Sequence, residues 1–397
     1  MTPRPFQIMD EKRKQNLIRR GKIIQAIRGY FLQEGFIEIE TPYLVPSPGM
    51  EPHLVALEVQ VHHPDGTREK RYLHTSPEYC MKKLLARGWD KIFQICRVFR
   101  DGELGPTHQM EFTMLEWYRT HADYRKIMED CEGLLCYLSK KIGGEPELTY
   151  QGKRIDLSPP AERLSVSRAM QAYGKVDIEA NYDGDSLLEE ARSRGYHFEP
   201  GGVYSYDEVF FKIFLETVEP RLGETRPTLL YDYPASMGAL ARLKPEDPRW
   251  AERFELYVAG LELANAFSEL VDPGEQRKRF ESERRLRALL KKPLYPVDEE
   301  LLENLSRMPT SAGISSMQPP QEPSRLWLVG MSDLAIEFPV SSCPPVPGYA
   351  AMRAHGRSEA TARLGSVPDV HRANPNVQSW GESCQGKDGG MLIMIIG

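Results

Sequence analysis

Between Gln94 and Tyr118 the chain reads QICRVFRDGELGPTHQMEFTMLEWY. Both ends are apolar with period-two alternation, and the middle holds an arginine, acids, glycines and a histidine. That pattern predicts two half-buried strands joined by a long polar turn. The hairpin would bring Arg100, Glu103, His108, Glu111, Glu116 and Tyr118 to one region. Such a set suits an anionic, nucleotide-like molecule beside a cationic one, and is more charge than a purely structural hairpin needs.

The rest of the chain repeats the hairpin theme. Leu17, Ile24, Ile27 and Phe31 form an apolar stripe that predicts a helix over 13–34, stopped by Gly35. A short strand over 36–40 follows, ended by Thr41-Pro42. Strands over 55–61 and 70–74 flank a Pro-Asp-Gly turn, and a helix is expected over 77–86. Helices over 123–141, 206–216, 275–291 and 299–308 and strands over 229–233, 253–258 and 260–267 complete the pattern. Hairpins without a βαβ series predict an α+β fold, an antiparallel sheet flanked by helices. Neither a GxxxxGK[ST] loop nor GxGxxG occurs, so any ATP site must use another architecture.

With 51 basic and 57 acidic residues the chain carries a net charge of -6, which gives no general attraction to nucleic acid or anionic membrane. The six cysteines show no CxxC spacing, and the expectation is a reduced, cytoplasmic protein with no membrane partner. Beyond about residue 313 the composition shifts to Ser, Pro and Gly. One catalytic-sized domain over 10–314, a divergent or partly ordered remnant over 315–342 and a disordered tail over 343–397 are expected.

Local sequence leaves roles open. Arg100 can contact a phosphate or simply pair with Glu103 or Asp101. Glu116 and Tyr118, two apart on a strand, share a face suited to an ammonium group, or both face water. In GLELANAFSEL (260–270) a strand reading puts Glu262 with Ala264 on one face, then a bend at Asn265. Acids embedded in apolar sequence need a partner, either a ligand or a nearby arginine such as Arg253. Ser76 can be a helix cap and Glu78 a first-turn acid. The run QRKRFESERRLRALLKK (276–292) reads as a solvated helix face, with a docking surface as the alternative.

Five blocks carry a family resemblance: TSPEYCMKKLL (75–85), FQICRVFR (93–100), HQMEFTMLEWYR (108–119), YDYPASMGALA (231–241) and ERFELYVAGLELANAFSEL (252–270). Together they resemble the catalytic domain of class II lysyl-tRNA synthetases. They resemble more closely the free-standing elongation factor P–(R)-β-lysine ligase family. The resemblance implies a usually dimeric fold, with Pro42 near the subunit interface. It implies ATP and Mg2+ as cofactors, and activation of lysine or (R)-β-lysine as an aminoacyl-adenylate. The acceptor would be a lysine side chain of elongation factor P. By resemblance Arg100 binds the α-phosphate, and Asp101, Gly102, Glu103, His108 and Gln109 help place ATP. Glu262 and the Leu263 backbone lie at the nucleotide and its magnesium. Ser76, Pro77 and Glu78 hold the amino acid, Asn265 approaches its carboxylate, and Glu116, Tyr118 and Glu269 select its distal amine. The first helix starts near residue 13, so an anticodon-binding domain is not expected ahead of it.

Three positions depart from the family pattern. Gln109-Met110 stands where Asn-Pro is common, and Asp101-Gly102-Glu103 where Asn-Glu is common. After Gly313 the family continues toward an arginine that clamps the ATP γ-phosphate; this chain reads ISSMQPPQEPSRLW, with Pro320 in the expected place and Arg325 nearest. That departure raises two alternatives, a catalytically impaired paralogue that binds elongation factor P and a lysine-adenylating enzyme with another acceptor.

Overall fold

The alternation in 94–118 folds as expected. Strands β5 (Lys91–Phe99) and β6 (Glu111–Thr120) pair antiparallel from Lys91↔Arg119 to Phe99↔Glu111. The computed structural model describes residues 11–103, 109–238 and 240–316. His108, Pro320, Arg325 and the segments expected beyond 316 lie outside the described residues.

Along the chain, helix α1 (Glu11–Gln33) leads to the two-residue strands β1 (Ile37–Glu38) and β2 (Leu44–Val45). The hairpin β3 (Glu58–His62) and β4 (Arg68–Leu73) precedes α2 (Glu78–Leu85). After β5 and β6 come α3 (Tyr124–Gly143), the hairpin β7 (Glu147–Tyr150) and β8 (Lys153–Asp156), and β9 (Glu162–Ser165). Helices α4 (Val166–Ala169), α5 (Gly184–Ser193) and α6 (Tyr206–Ile213) form one group, followed by β10 (Thr228–Pro234), β11 (Trp250–Val258) and β12 (Leu261–Ser268). Helices α7 (Pro273–Leu289) and α8 (Glu299–Leu305) precede β13 (Ser311–Ser316).

Among the described residues the main sheet has eight strands in the order β1-β5-β6-β13-β12-β11-β10-β9. Its central pairs are antiparallel, as the hairpins predict. The two edge pairs, β1 with β5 and β9 with β10, are parallel. The strand expected over 36–40 is β1, while β9, four residues long, leaves no periodicity in the sequence. Strand β13 inserts between β6 and β12 and so joins the two sequence blocks that carry most of the candidate residues.

One face of the sheet is covered by α1 and α3. Phe31 of α1 is fully buried, with ring centroids 5.0 Å from Phe36, 4.9 Å from Phe93 and 5.0 Å from Trp117. A buried phenylalanine of this kind contributes roughly 1.5–3 kcal/mol. Among the described residues the opposite face is covered only at its flanks. Helices α4–α6 pack on Leu230, Tyr233, Trp250 and Tyr257, while α2, α7 and α8 pack around Ile92 and Tyr118. The strands between these groups, β6, β13, β12 and β11, present the candidate site.

Helix α7 departs from its sequence reading. Its charges are not all solvated: Arg287 is fully buried, with Nε donating to the Pro293 carbonyl and Nη1 to the carbonyls of Glu51 and Leu54. Of the three buried positions of this strongly charged helix, Gln276, Phe280 and Arg287, one is apolar, so no apolar stripe marks the inward face.

Candidate active site

Pairing register builds the site. Gln94, Glu116, Ser315, Asn265 and Glu255 lie directly opposite one another on β5, β6, β13, β12 and β11. Directly opposed residues share a face, so this is one polar row across five strands. The next row is Ile92, Tyr118, Gly313, Phe267 and Arg253. The neighbours of Glu116, Leu115 and Trp117, point the other way into the core under α1 and α3.

Strand β12 reaches this face by a device the sequence hides. Tyr257 pairs with Glu262 but Leu256 pairs with Ala264, so Leu263 is an extra residue, a β-bulge. Leu263 and Ala264 both enter the core on the α1/α3 side. Glu262 and Asn265, three apart, therefore share the site face. The strict period-two expectation of Glu262 with Ala264, and of a bend at Asn265, is corrected: the irregularity lies earlier, and the strand runs on through Ser268. The alternative weighed for Glu262, an ion pair with Arg253, does not form among the described residues. Arg253 Nη2 donates to Glu255 Oε1 at 2.7 Å, Nη1 to the Met237 carbonyl at 2.5 Å and Nε to Asn265 Oδ1 at 3.2 Å.

At the β6 end, Glu116 is fully buried. The Tyr118 hydroxyl donates to its Oε1 at 2.7 Å and the Ser76 hydroxyl to its Oε2 at 2.8 Å. Ser76 also accepts from the Glu78 amide at 3.0 Å, so it closes the turn into α2 and holds Glu116 at once. Pro77 precedes α2 as its cap residue. Burial and the nearby Glu78 push the Glu116 carboxyl up to about 8, against the two hydrogen bonds. Glu269 is 2% exposed, and its carboxyl is also pushed up to about 8, by burial and Glu78 against the pull of Lys82. Among the described residues neither of its oxygens makes a hydrogen bond; Oε2 lies in an ion pair with Lys82 at 2.5 Å and Oε1 faces no donor.

At the turn, Arg100 is buried beside Glu103 at 3.9 Å, with its guanidinium 5.1 Å from the Phe112 ring centroid and Nε donating to the Thr75 carbonyl. Gly102 has φ +78°, which favours glycine there. Asp101 is exposed and Gln109 half-buried. Glu262 is held well above the usual carboxylate range by burial and by Glu255, against Arg253 and Arg100. No group of three His, Cys, Asp or Glu among the described residues is arranged to hold a metal by itself. Magnesium commonly uses one or two carboxylates plus phosphates and water, and Glu262, a half-buried carboxylate in no ion pair within 4.0 Å among the described residues, fits that role.

The family model for class II tRNA synthetases (D, K and N) matches residues 1–316. The chain belongs to this family. It is 39% identical over 303 residues to the elongation factor P–(R)-β-lysine ligase of Haemophilus influenzae (strain PittGG), covering 76% of this chain and 88% of that relative. The similar ligase of Erwinia tasmaniensis is 38% identical over 302 residues, covering 76% and 87%. The lysine–tRNA ligase of Moorella thermoacetica is 37% identical over 308 residues, 77% of this chain but only 61% of that relative.

Against the class II synthetase fold, the structure gathers Ser76, Glu78, Glu116, Tyr118, Asn265, Glu269 and Glu262 on or beside one sheet face, with Arg100 within electrostatic reach of Glu262. Sequence reasoning missed Lys82, Ser315 and Gly313. Lys82 had a signal, its i,i+4 spacing from Glu78 on a helix; Ser315 and Gly313 had none, because a strand of small residues shows no alternation. No helix among the described residues is long and apolar enough to cross a membrane.

Proposed function

We propose that this class II synthetase relative activates lysine or (R)-β-lysine with ATP and transfers it to a lysine side chain of elongation factor P. The observation that carries the reading is two buried carboxyl groups beside Glu78 and Lys82: Glu116, hydrogen-bonded at both oxygens and in one row with Asn265, and Glu269, whose Oε1 accepts from nothing among the described residues. A buried anion with a vacant acceptor calls for a cationic ligand, and the distal ammonium of a lysine supplies one. The similarity to the elongation factor P–(R)-β-lysine ligases of Haemophilus influenzae and Erwinia tasmaniensis supports the protein acceptor.

In the first step a carboxylate oxygen of the amino acid attacks the α-phosphorus of ATP. The bond to the bridging oxygen breaks and pyrophosphate leaves. In the second, the acceptor amine attacks the activated carbonyl, AMP leaves and the amine gives up a proton. Asn265 accepts from Arg253 through Oδ1, which leaves its amide N–H groups to donate to the substrate carboxylate. Arg100 balances the charge that develops on the α-phosphate. Glu262 would hold a magnesium ion, which would neutralise phosphate charge when bound. The chain supplies position and charge and no covalent nucleophile. Leu17, Ile18 and Leu32 of α1 and Ile37 of β1 are exposed, an apolar surface that a second copy would cover, in keeping with a homodimer.

The test is ATP–pyrophosphate exchange with lysine and with (R)-β-lysine, followed by label transfer to elongation factor P. Exchange without transfer would support another acceptor. The presence of Pro320 where the resemblance expects a phosphate-clamping arginine favours a second reading, an impaired paralogue that still binds elongation factor P. Folded protein that binds lysine yet supports no exchange would establish it.

A further inference from the structure

Lys82 is a buried charge that the proposed chemistry leaves unused. It sits on α2, is 2% exposed and lies 2.5 Å from Glu78 Oε1 and 2.5 Å from Glu269 Oε2. Its ammonium also lies 5.2 Å from the centroid of the Phe267 ring. Burial works against its charge, but Glu269 and Glu78 outweigh burial and hold it above the ordinary lysine range. It is therefore a fixed cation set between two carboxylates, in the pocket assigned to a substrate cation.

The oxygens around it are unequally used. Both oxygens of Glu116 already accept, from Tyr118 and Ser76. Glu269 Oε2 faces Lys82, and Glu269 Oε1 accepts from nothing among the described residues. Three carboxylates, Glu78, Glu116 and Glu269, thus surround one built-in ammonium, and Glu269 Oε1 is buried with no donor facing it among the described residues. Without Lys82 the mutual repulsion of Glu78 and Glu269 would drive them apart or force a shared proton between them. Either result would turn or cap the vacant oxygen.

We propose that Lys82 is a positioning residue for amino-acid selection: its ammonium fixes Glu78 and Glu269 together and leaves Glu269 Oε1 open as an acceptor for the distal ammonium of the substrate. The inference rests on the reading that the pocket takes lysine or β-lysine. It assigns a selective role to a group that contacts substrate only through its partners. The pocket holds two cations, one from the protein and one from the ligand. A neutral side chain of the same length would leave Glu269 Oε1 buried and unpaired, a penalty that rejects it.

The test compares Lys82→Met and Lys82→Arg in lysine-dependent exchange. Lys82→Met is expected to raise the KM for lysine by about thirtyfold or more, the lower end of what truncating one partner of a buried charge pair does. The KM for ATP should stay within about twofold, a split that general loss of folded protein does not produce. Lys82→Arg, which keeps the charge, should recover part of the lysine KM. An unchanged lysine KM, or lysine and ATP KM rising together, would overturn the proposal. Should Lys82→Met not fold, the unaltered protein labelled with 15N-lysine serves: the Lys82 ammonium resonance should shift on saturation with unlabelled lysine and not with norleucine. No shift with bound lysine would overturn it equally. Unaltered protein that neither binds lysine nor supports exchange would instead sink the parent reading.

Discussion

The ring of Tyr118 lies directly across the α-carbon of Gly313. A Cβ built on Gly313 would overlap Cδ1 and Cε1 of that ring. The two residues are opposed in register, and the Tyr118 hydroxyl donates to Glu116 at 2.7 Å. Gly313 is thus needed for its missing side chain. Gly313→Ala is expected to displace the ring, break the Tyr118–Glu116 hydrogen bond and lower kcat/KM for lysine by at least about tenfold, with a stability loss of roughly 1–3 kcal/mol from overpacking. Exchange kinetics and thermal melts check both. Unchanged kinetics would show that Tyr118 does not shape the amine pocket.

Glu116 and Glu269 predict a pH dependence. Both carboxyls are raised to about 8, chiefly by burial, so below that pH the pair holds protons that an arriving ammonium must displace. The lysine side chain itself stays charged, with an ordinary pKa of about 10.4. The KM for lysine should therefore fall as pH rises from 6 toward 8, by up to about tenfold per unit for one displaced proton. Stability should move the opposite way in the free protein. Carboxyls raised in the folded state bind more protons than in the unfolded chain, so their contribution is present below the ordinary carboxylate pKa and is lost as pH rises through about 8. Melting temperatures across pH 5 to 8.5, with and without lysine, test the sign. A flat lysine KM would show that the pair is not the amine site.

The same residues show what the sequence could and could not reveal. The β5–β6 hairpin was legible because both strands are half-buried and therefore alternate. Strand β13 was not: Ser311, Ala312, Gly313 and Ser315 are small, and pairing with β6 and β12 alone makes them a strand. The five motif blocks identified the family and its fold, yet the face of each residue depended on register. One extra residue at Leu263 moved Asn265 to the side of Glu262, and a bulge leaves no mark on composition or periodicity. Lys82 was visible as a charge on a helix, but its burial depends on Glu269, which is remote in sequence.

Arg253 couples the nucleotide and carboxylate ends of the site. Its guanidinium is 3% exposed, lies 4.6 Å from the Tyr233 ring centroid, and fixes both Glu255 and the Asn265 oxygen. Arg253→Lys keeps the charge but not the fork that serves three acceptors at once. It is expected to raise the KM for lysine by about tenfold through a loosened Asn265, a loss of roughly 1.4 kcal/mol. Arg253→Met should cost about 3–5 kcal/mol of stability by leaving Glu255 buried without its cation. Steady-state kinetics of the lysine variant and denaturant melts of the methionine variant separate the two effects; equal lysine KM in Arg253→Lys would place Asn265 outside carboxylate binding.

Arg287 supports the site from below without touching it. Helix α7 carries it inward, where its ring-stacked guanidinium lies 4.2 Å from the Tyr295 centroid and donates to the carbonyls of Pro293, Glu51 and Leu54. Two of those carbonyls belong to the loop that passes beside Ser76 and Glu78 in a shared cavity. Arg287→Met keeps much of the apolar stem but strands three acceptors, and losing hydrogen bonds from a charged donor costs about 1.5–3 kcal/mol each when acceptors stay dry. Water can reach some of them, so a total loss of roughly 3 kcal/mol is expected. The exposed neighbour Arg285 provides the contrast: Arg285→Met should change stability by no more than about 0.5 kcal/mol. Urea melts of the two variants decide the matter, and equal stabilities would return Arg287 to the solvated face that its sequence context suggested.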